Sequence, residues 1–250
     1  MQDKQSVYDK DGFFDLYQKL RSNPNSLNEI VEKPTMLGLV GDVSGKRILD
    51  LGCGCGEHLK LYLERGAAFV VGIDLSQAML QQAAKNLAEF RPHFLLEQAP
   101  MERLDQLNEG GFDLITSSFA FHYVQDFPAL LAKIYAKLKP NGQLVFSQEH
   151  PIVTCYQGGE RWEKDAQKRQ LAYRLNFYRD EGERQRNWFK QPFTTYHRTT
   201  ATIINNLISV GFHIEQMAEP MLADQPQWQD EFKDLQHRPV LLFVKARKNT

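Results

Sequence analysis

No apolar run in the 250-residue chain approaches the roughly 18 residues a membrane-spanning helix needs, and the longest, Phe69 to Ile73 and Val240 to Val244, are of strand length. A membrane partner is therefore not expected. Cysteine is scarce, with three residues, an odd number, two of them separated by Gly54 alone. That argues against a disulfide framework and points to a reducing, cytoplasmic setting. Neither charge is in excess: 30 Lys and Arg face 31 Asp and Glu, for a net charge of -1. Without a global positive field to attract a polyphosphate, a nucleic-acid partner is not expected either. The first six residues lack a basic patch followed by an apolar core, so no secretory leader is expected. What is present, 42% hydrophobic and 24% charged residues, is the make-up of a globular chain, long enough for one domain with a cap or an insertion.

Two stretches with helical spacing, Asp11 to Leu20 and Leu27 to Val40, flank the turn-rich Ser22-Asn23-Pro24-Asn25-Ser26 and read as an N-terminal cap over residues 1–45. From Lys46 short apolar runs alternate with amphipathic segments, the pattern of a parallel βαβ sheet. Strands are expected at Arg47 to Leu51, Phe69 to Asp74, His93 to Gln98, Phe112 to Ser117 and Gln143 to Ser147. Helices are expected at Ser76 to Phe90, with Ser76 as N-cap, and after Asp126 as far as Pro140-Asn141-Gly142. Residues 46–150 would form the core and 151–198 an irregular, aromatic and charged insertion of the kind that serves as a lid. Residues 199–250 would complete the sheet with a helix, Thr199 to Val210, and two strands, Phe212 to Ala218 and Val240 to Ala246.

The most informative segment is Ile48-Leu49-Asp50-Leu51-Gly52-Cys53-Gly54-Cys55-Gly56, a buried-type strand running into glycines. A dinucleotide fingerprint in this register needs glycine at Glu57, so that reading fails. An acid on the strand, Asp50, suits a ligand carrying an ammonium group and would repel a pyrophosphate. Strand two ends in Asp74, where such folds hydrogen-bond both ribose hydroxyls. An ammonium near Asp50 and an unphosphorylated ribose at Asp74 together describe S-adenosyl-L-methionine. Cys53 and Cys55 lack the further ligands a structural zinc requires, so no metal is expected.

Ile48 to Gly56 and Val71 to Leu80 resemble motifs I and II of the class I S-adenosylmethionine-dependent methyltransferases. Phe112 to Ser118 resembles that superfamily's fourth strand, and Leu138 to Leu144 its turn into strand five. Ser117 to Tyr123, Phe146 to Pro151 and Tyr196 to Thr199 resemble a bacterial subgroup acting on small molecules. The resemblance implies an α/β, doubly wound, mostly parallel seven-stranded sheet of Rossmann-like methyltransferase type, with an N-terminal helical cap and an insertion after strand five. It implies S-adenosyl-L-methionine as cofactor, S-adenosyl-L-homocysteine as product, and methyl transfer to an O, N or C nucleophile of a small molecule. It places Asp50, Gly52, Cys53, Gly54, Asp74, Leu75, Met79, Pro100, Met101 and Ser117 at the cofactor, with adenine against the segment from Ala99 to Glu102. Pro100 departs from the usual small residue and removes one amide.

Tyr17 and Arg21, one turn apart on the cap, are candidates to clamp the cofactor's carboxylate, because a guanidinium matches carboxylate geometry. His122, His150 and His197 are candidate bases, since a neutral imidazole can take a proton from an acceptor O–H or N–H. The first two stand at strand ends, the third beside Tyr196 in the segment expected to roof the acceptor. Two alternatives stay open: a methyltransferase acting on a protein or nucleic acid, and a protein that binds the cofactor without turnover. The acceptor's identity and the oligomeric state are not legible.

Overall fold

The computed structural model describes residues 7–10, 12–221 and 232–250. Asp11, expected to start the first helix, and residues 1–6, where no leader is expected, lie outside the described residues. The strands are β1 (Arg47–Leu51), β2 (Phe69–Asp74), β3 (Phe94–Gln98), β4 (Phe112–Ser118), β5 (Leu138–Glu149), β6 (Trp162–Lys164), β7 (Gln170–Tyr173), β8 (Gly182–Trp188), β9 (Gln191–His197), β10 (Phe212–Ala218) and β11 (Leu241–Lys248). The helices are α1 (Phe13–Arg21), α2 (Lys33–Val40), α3 (Glu57–Glu64), α4 (Gln77–Asn86), α5 (Phe127–Lys137), α6 (Pro151–Thr154) and α7 (Thr200–Val210).

Seven strands make one sheet in the order β10-β11-β5-β4-β1-β2-β3. β1 to β5 pair in parallel, and β11 is antiparallel to both of its neighbours. Alternation along the strands builds two cores. Ile48, Val70, Leu114, Val145 and Phe243 pack on one face with Met36 and Leu39 of α2 and Leu59 and Tyr62 of α3. Leu49, Val71, Ile115, Leu144 and Leu242 pack on the other with Leu130 and Ile134 of α5 and Ile203 and Leu207 of α7. Each fully buried aliphatic side chain contributes about 1.5–3 kcal/mol relative to exposure. The sheet therefore supplies a rigid frame whose carboxyl edge carries the ends of β1, β2, β4 and β5.

The two caps anticipated from sequence are present, the Ser76 and Asp126 side chains accepting from the amides of Met79 and Ala129, and Thr199, expected inside its helix, caps α7 through the amide of Thr202. Three elements differ from the sequence reading. The stretch Leu27 to Val40 is not one regular helix: a wide π turn, Asn28–Glu32, feeds α2. Pro34 has no amide hydrogen for the carbonyl four residues back, which loosens the ladder there. Pro140-Asn141-Gly142 lies inside β5, where the pairing with β4 shifts between Phe112 and Leu114. The supposedly irregular insertion holds two hairpins, β6-β7 and β8-β9. The second turns on Phe189 and Lys190, both at positive φ. Such turns usually announce themselves with Asn or Gly, so the sequence carried no turn signal.

Candidate active site

β1 runs directly into the glycine loop and α3. At Gly52 φ is +74° and a Cβ would fall 2.7 Å from Ala120 Cβ, so a side chain is excluded by conformation and by space. At Gly54, with φ +53°, nothing lies within 4 Å of such a Cβ, and the position opens on a cavity. The loop is held by β2: the Gly52 and Cys53 amides donate to Ile73 O at 2.8 and 3.0 Å. Gly54 N donates to Asp74 Oδ2 at 2.9 Å, and Ser76 N to Asp74 Oδ1 at 2.8 Å. A carboxylate has about four acceptor sites, so two amides leave acceptor capacity on Asp74. Burial raises its pKa above the ordinary value.

Asp74 lines a cavity of about 400 Å³ with Leu75, Met79, Pro100 and Met101. Met79 is buried on the core stripe, with Cys55 Sγ 3.4 Å from its sulfur, and still reaches the cavity wall. A second cavity, about 420 Å³, is lined by Tyr17, Arg21, Asp50, Cys53 and His58. Here Asp50 Oδ1 accepts from Thr116 Oγ1 at 2.8 Å, and burial pushes the Asp50 carboxyl up to about 6. A cation placed beside it would favour the charged form again. Open space at Gly54, an acid with acceptors to spare at Asp74 and a buried acid at Asp50 fit the ribose and ammonium of S-adenosylmethionine.

A third cavity, about 430 Å³, contains His122, Tyr123, Glu149, Arg186 and Trp188. His122 is buried, its Nδ1 has no hydrogen-bond partner, and burial brings its pKa down to about 4. It is thus a neutral imidazole at physiological pH. Trp188, at the end of β8, meets Tyr8, Phe13 and Tyr17 edge-on at 5.4–6.1 Å between ring centres, which joins the β8-β9 hairpin to the cap.

Three expected site residues stand elsewhere. Ser117 is fully buried and donates to Leu51 O at 2.8 Å; because strand side chains alternate, Ser118 is the one that lines the cofactor-sized cavities. His150 caps α6, with Nδ1 accepting from Ile152 N at 3.1 Å, and Nε2 donates to Glu219 at 2.8 Å. His197 donates from Nε2 to Tyr178 O at 2.9 Å and accepts at Nδ1 from Thr154 Oγ1 at 2.8 Å. With both nitrogens engaged, and outside the linings of these cavities, His150 and His197 are not placed as bases. Their bonds instead fasten α6 and the insertion to the core. Arg21 reaches the cavity as expected, but its Nη2 bonds Glu57 Oε2 at 2.8 Å.

Several residues at the site carry no local sequence signal. Glu32, at 1% exposure, comes from the π turn, and its Oε1 accepts from Ser118 and Ser147 hydroxyls at 2.6 and 2.7 Å. Its Oε2 lies 3.7 Å from His58 Nε2. Tyr8 arrives from the N-terminal segment and Arg186 and Trp188 from β8, while Glu57 and His58 open α3 directly after the glycine loop. The strand-end position of Ser118 is the one cue that the sequence offered.

The family model described as a methyltransferase domain matches residues 48–142. An S-adenosylmethionine dependent methyltransferase from Mesorhizobium loti, known from its crystal structure, is 35% identical, with a TM-score of 0.79 over 89% of this chain and 100% of that one. An uncharacterized protein of Haemophilus influenzae is 67% identical over 99% of both chains. The Neisseria meningitidis ubiquinone biosynthesis O-methyltransferase is 38% identical over 112 residues, 42% of this chain and 45% of that protein, so the match spans less than half of either. The chain belongs to the S-adenosylmethionine-dependent methyltransferases. It is an enzyme of that class, with S-adenosylmethionine as its cofactor.

Proposed function

We propose that the chain methylates an O, N or C nucleophile of a small molecule, with the acceptor in the cavity that holds His122. The observation that carries this reading is the meeting of the three cavities: Tyr17 and Phe119 line all of them. Two compartments suit the amino acid and nucleoside ends of the cofactor, so the third, reached past the same two rings, suits the acceptor. When bound, S-adenosylmethionine supplies a methyl group activated on sulfur.

In this reading Asp74 accepts from the ribose hydroxyls, Asp50 faces the ammonium, and Gly52, Cys53 and Gly54 let the backbone approach. Leu75, Met79, Pro100 and Met101 wall the nucleoside. Tyr17 and Arg21 stand at the carboxylate end. Phe119, a non-glycine residue at φ 54° with its amide tied to Ser147 O at 3.0 Å, is held in a sparsely populated conformation of the sort that clusters at functional sites. Orientation at the junction is worth up to ~7–11 kcal/mol. His122 takes the proton when the nucleophile carries one, which contributes about 10²–10⁴-fold.

Tyr8 and Trp188 join cap and insertion along the wall of the acceptor cavity, and its volume of about 430 Å³ favours a small acceptor over a polymer. Three unpaired cysteines suit the cytoplasm, where we place the enzyme; among the described residues no helix is long and apolar enough to cross a membrane. The test is incubation with methyl-labelled cofactor and a cell extract split by a size filter. Label in the filtrate supports the small-molecule reading, and label only on retained polymer overturns it.

A further inference from the structure

The acceptor cavity has a composition that selects among small molecules. Its walls carry six rings, Tyr8, Tyr17, Phe119, Tyr123, Trp188 and Phe193. Set among them is a guanidinium, Arg186, 16% exposed, which reaches the cavity from β8 on the same face as Arg184 and Trp188. Its Nη1 donates to Glu149 Oε2 at 3.0 Å and its Nη2 to Oε1 at 3.4 Å. Among the described residues these are its hydrogen bonds, so two of the five N–H groups of a guanidinium are engaged. The remaining donors want acceptor oxygens. The cavity lining carries two guanidinium groups, Arg186 and Arg21, against one carboxylate, Glu149, a balance that disfavours a cationic ligand. His122, a neutral imidazole on the same wall, adds no countercharge.

Resting on the small-molecule reading above, we propose that the acceptor is an aromatic acid, its ring among the aromatic walls, its anionic group on Arg186 beside Glu149, and its O–H or N–H nucleophile toward His122. The balance is that of a simple displacement. The nucleophile forms a bond to the methyl carbon as the carbon–sulfur bond breaks, the electron pair leaves with sulfur as the neutral thioether, and the nucleophile's proton goes to the imidazole. No oxidant or reductant enters. An acid recognised by Arg186 stays unmodified, so the product keeps a negative charge.

The test uses the full-length protein with methyl-labelled S-adenosylmethionine and the filtrate of a cell extract, and separates labelled products on an anion exchanger with absorbance detection. The expected product is retained at neutral pH and absorbs in the near ultraviolet. With the purified acceptor, Arg186→Gln is expected to raise KM by about 10- to 100-fold while S-adenosylhomocysteine affinity, read by calorimetry, stays within twofold. Arg186→Lys, which keeps the charge and loses the fork, is expected to recover part of the KM and guards against a folding defect in the glutamine variant. A labelled filtrate product that is neutral, cationic or without aromatic absorbance overturns the aromatic acid and leaves the small-molecule reading standing. An unchanged KM in both Arg186 variants also overturns it. Label confined to retained polymer overturns the reading beneath it.

Discussion

The hydroxyl of Ser76 donates to the carboxylate of Asp9 at 2.5 Å, and the same carboxylate accepts from the Ala78 amide at 3.1 Å. Asp9, 67 residues away in sequence, thus shares with Ser76 the capping of α4, immediately after Asp74. Residues 7–10 are fastened beside the proposed cofactor site by a charge at a helix N-terminus, where anions are favoured. Asp9→Ala is expected to lower stability by about 1 kcal/mol, the usual cost of a lost cap. It is also expected to weaken S-adenosylhomocysteine binding, because Tyr8 next to it lines two of the three cavities. Thermal unfolding and calorimetry read the two effects, and unchanged binding would detach the segment from the site.

Asp74→Ala is expected to cost about 1.5–3 kcal/mol of cofactor affinity, the value of hydrogen bonds to a buried charged acceptor. Calorimetric titration with S-adenosylhomocysteine checks it. An affinity within twofold of the parent's would remove the ribose from Asp74.

Asp50 makes the pH dependence specific. Its folded pKa, raised chiefly by burial to about 6, exceeds the ordinary carboxylate value. Its contribution to stability is therefore present below that ordinary value and lost as pH rises through 6. Cofactor binding has the opposite sign, because an ammonium needs the ionised carboxylate. Affinity is expected to be level above pH 6 and to fall about tenfold per pH unit below it. Asp50→Asn is expected to bind more weakly and to lose that slope; a parent curve that is flat from pH 7.5 to 5 would rule out the pairing.

The histidines separate by mechanism. His122→Ala is expected to reduce turnover by about 10²–10⁴-fold at nearly unchanged cofactor affinity, the signature of a lost proton acceptor. At saturating cofactor, with His122 near 4 through burial, kcat/KM for the acceptor is expected to show no acid limb close to the ordinary imidazole value. His150→Ala is expected instead to lower the melting temperature, since it strips the α6 cap and the Glu219 bond, worth about 1–3 kcal/mol, and to leave turnover within a few-fold. A variant pair with the reverse behaviour would exchange the two roles.

Where function is written in consecutive residues, the sequence by itself determined it. The spacing Asp50-x-Gly52-x-Gly54 and the acid at Asp74 are strand-end features, and a parallel sheet brings all strand ends to one edge. Ligand and fold class were therefore legible together. Short continuous apolar runs likewise marked β1, β2 and β4 as strands of a parallel sheet buried on both faces. Tertiary structure alone decided the rest. His122, His150 and His197 look alike in sequence, and what separates them is whether distant groups, Glu219, Tyr178 and Thr154, occupy their nitrogens. The wall of the proposed acceptor cavity depends on a hairpin whose turn, Phe189-Lys190, has no turn chemistry, and on a Glu149–Arg186 pair 37 residues apart. Glu32 and Ser118 meet across 86 residues. Contacts of that kind leave no local period or motif, because packing of whole elements, and no backbone preference nearby, brings the side chains together.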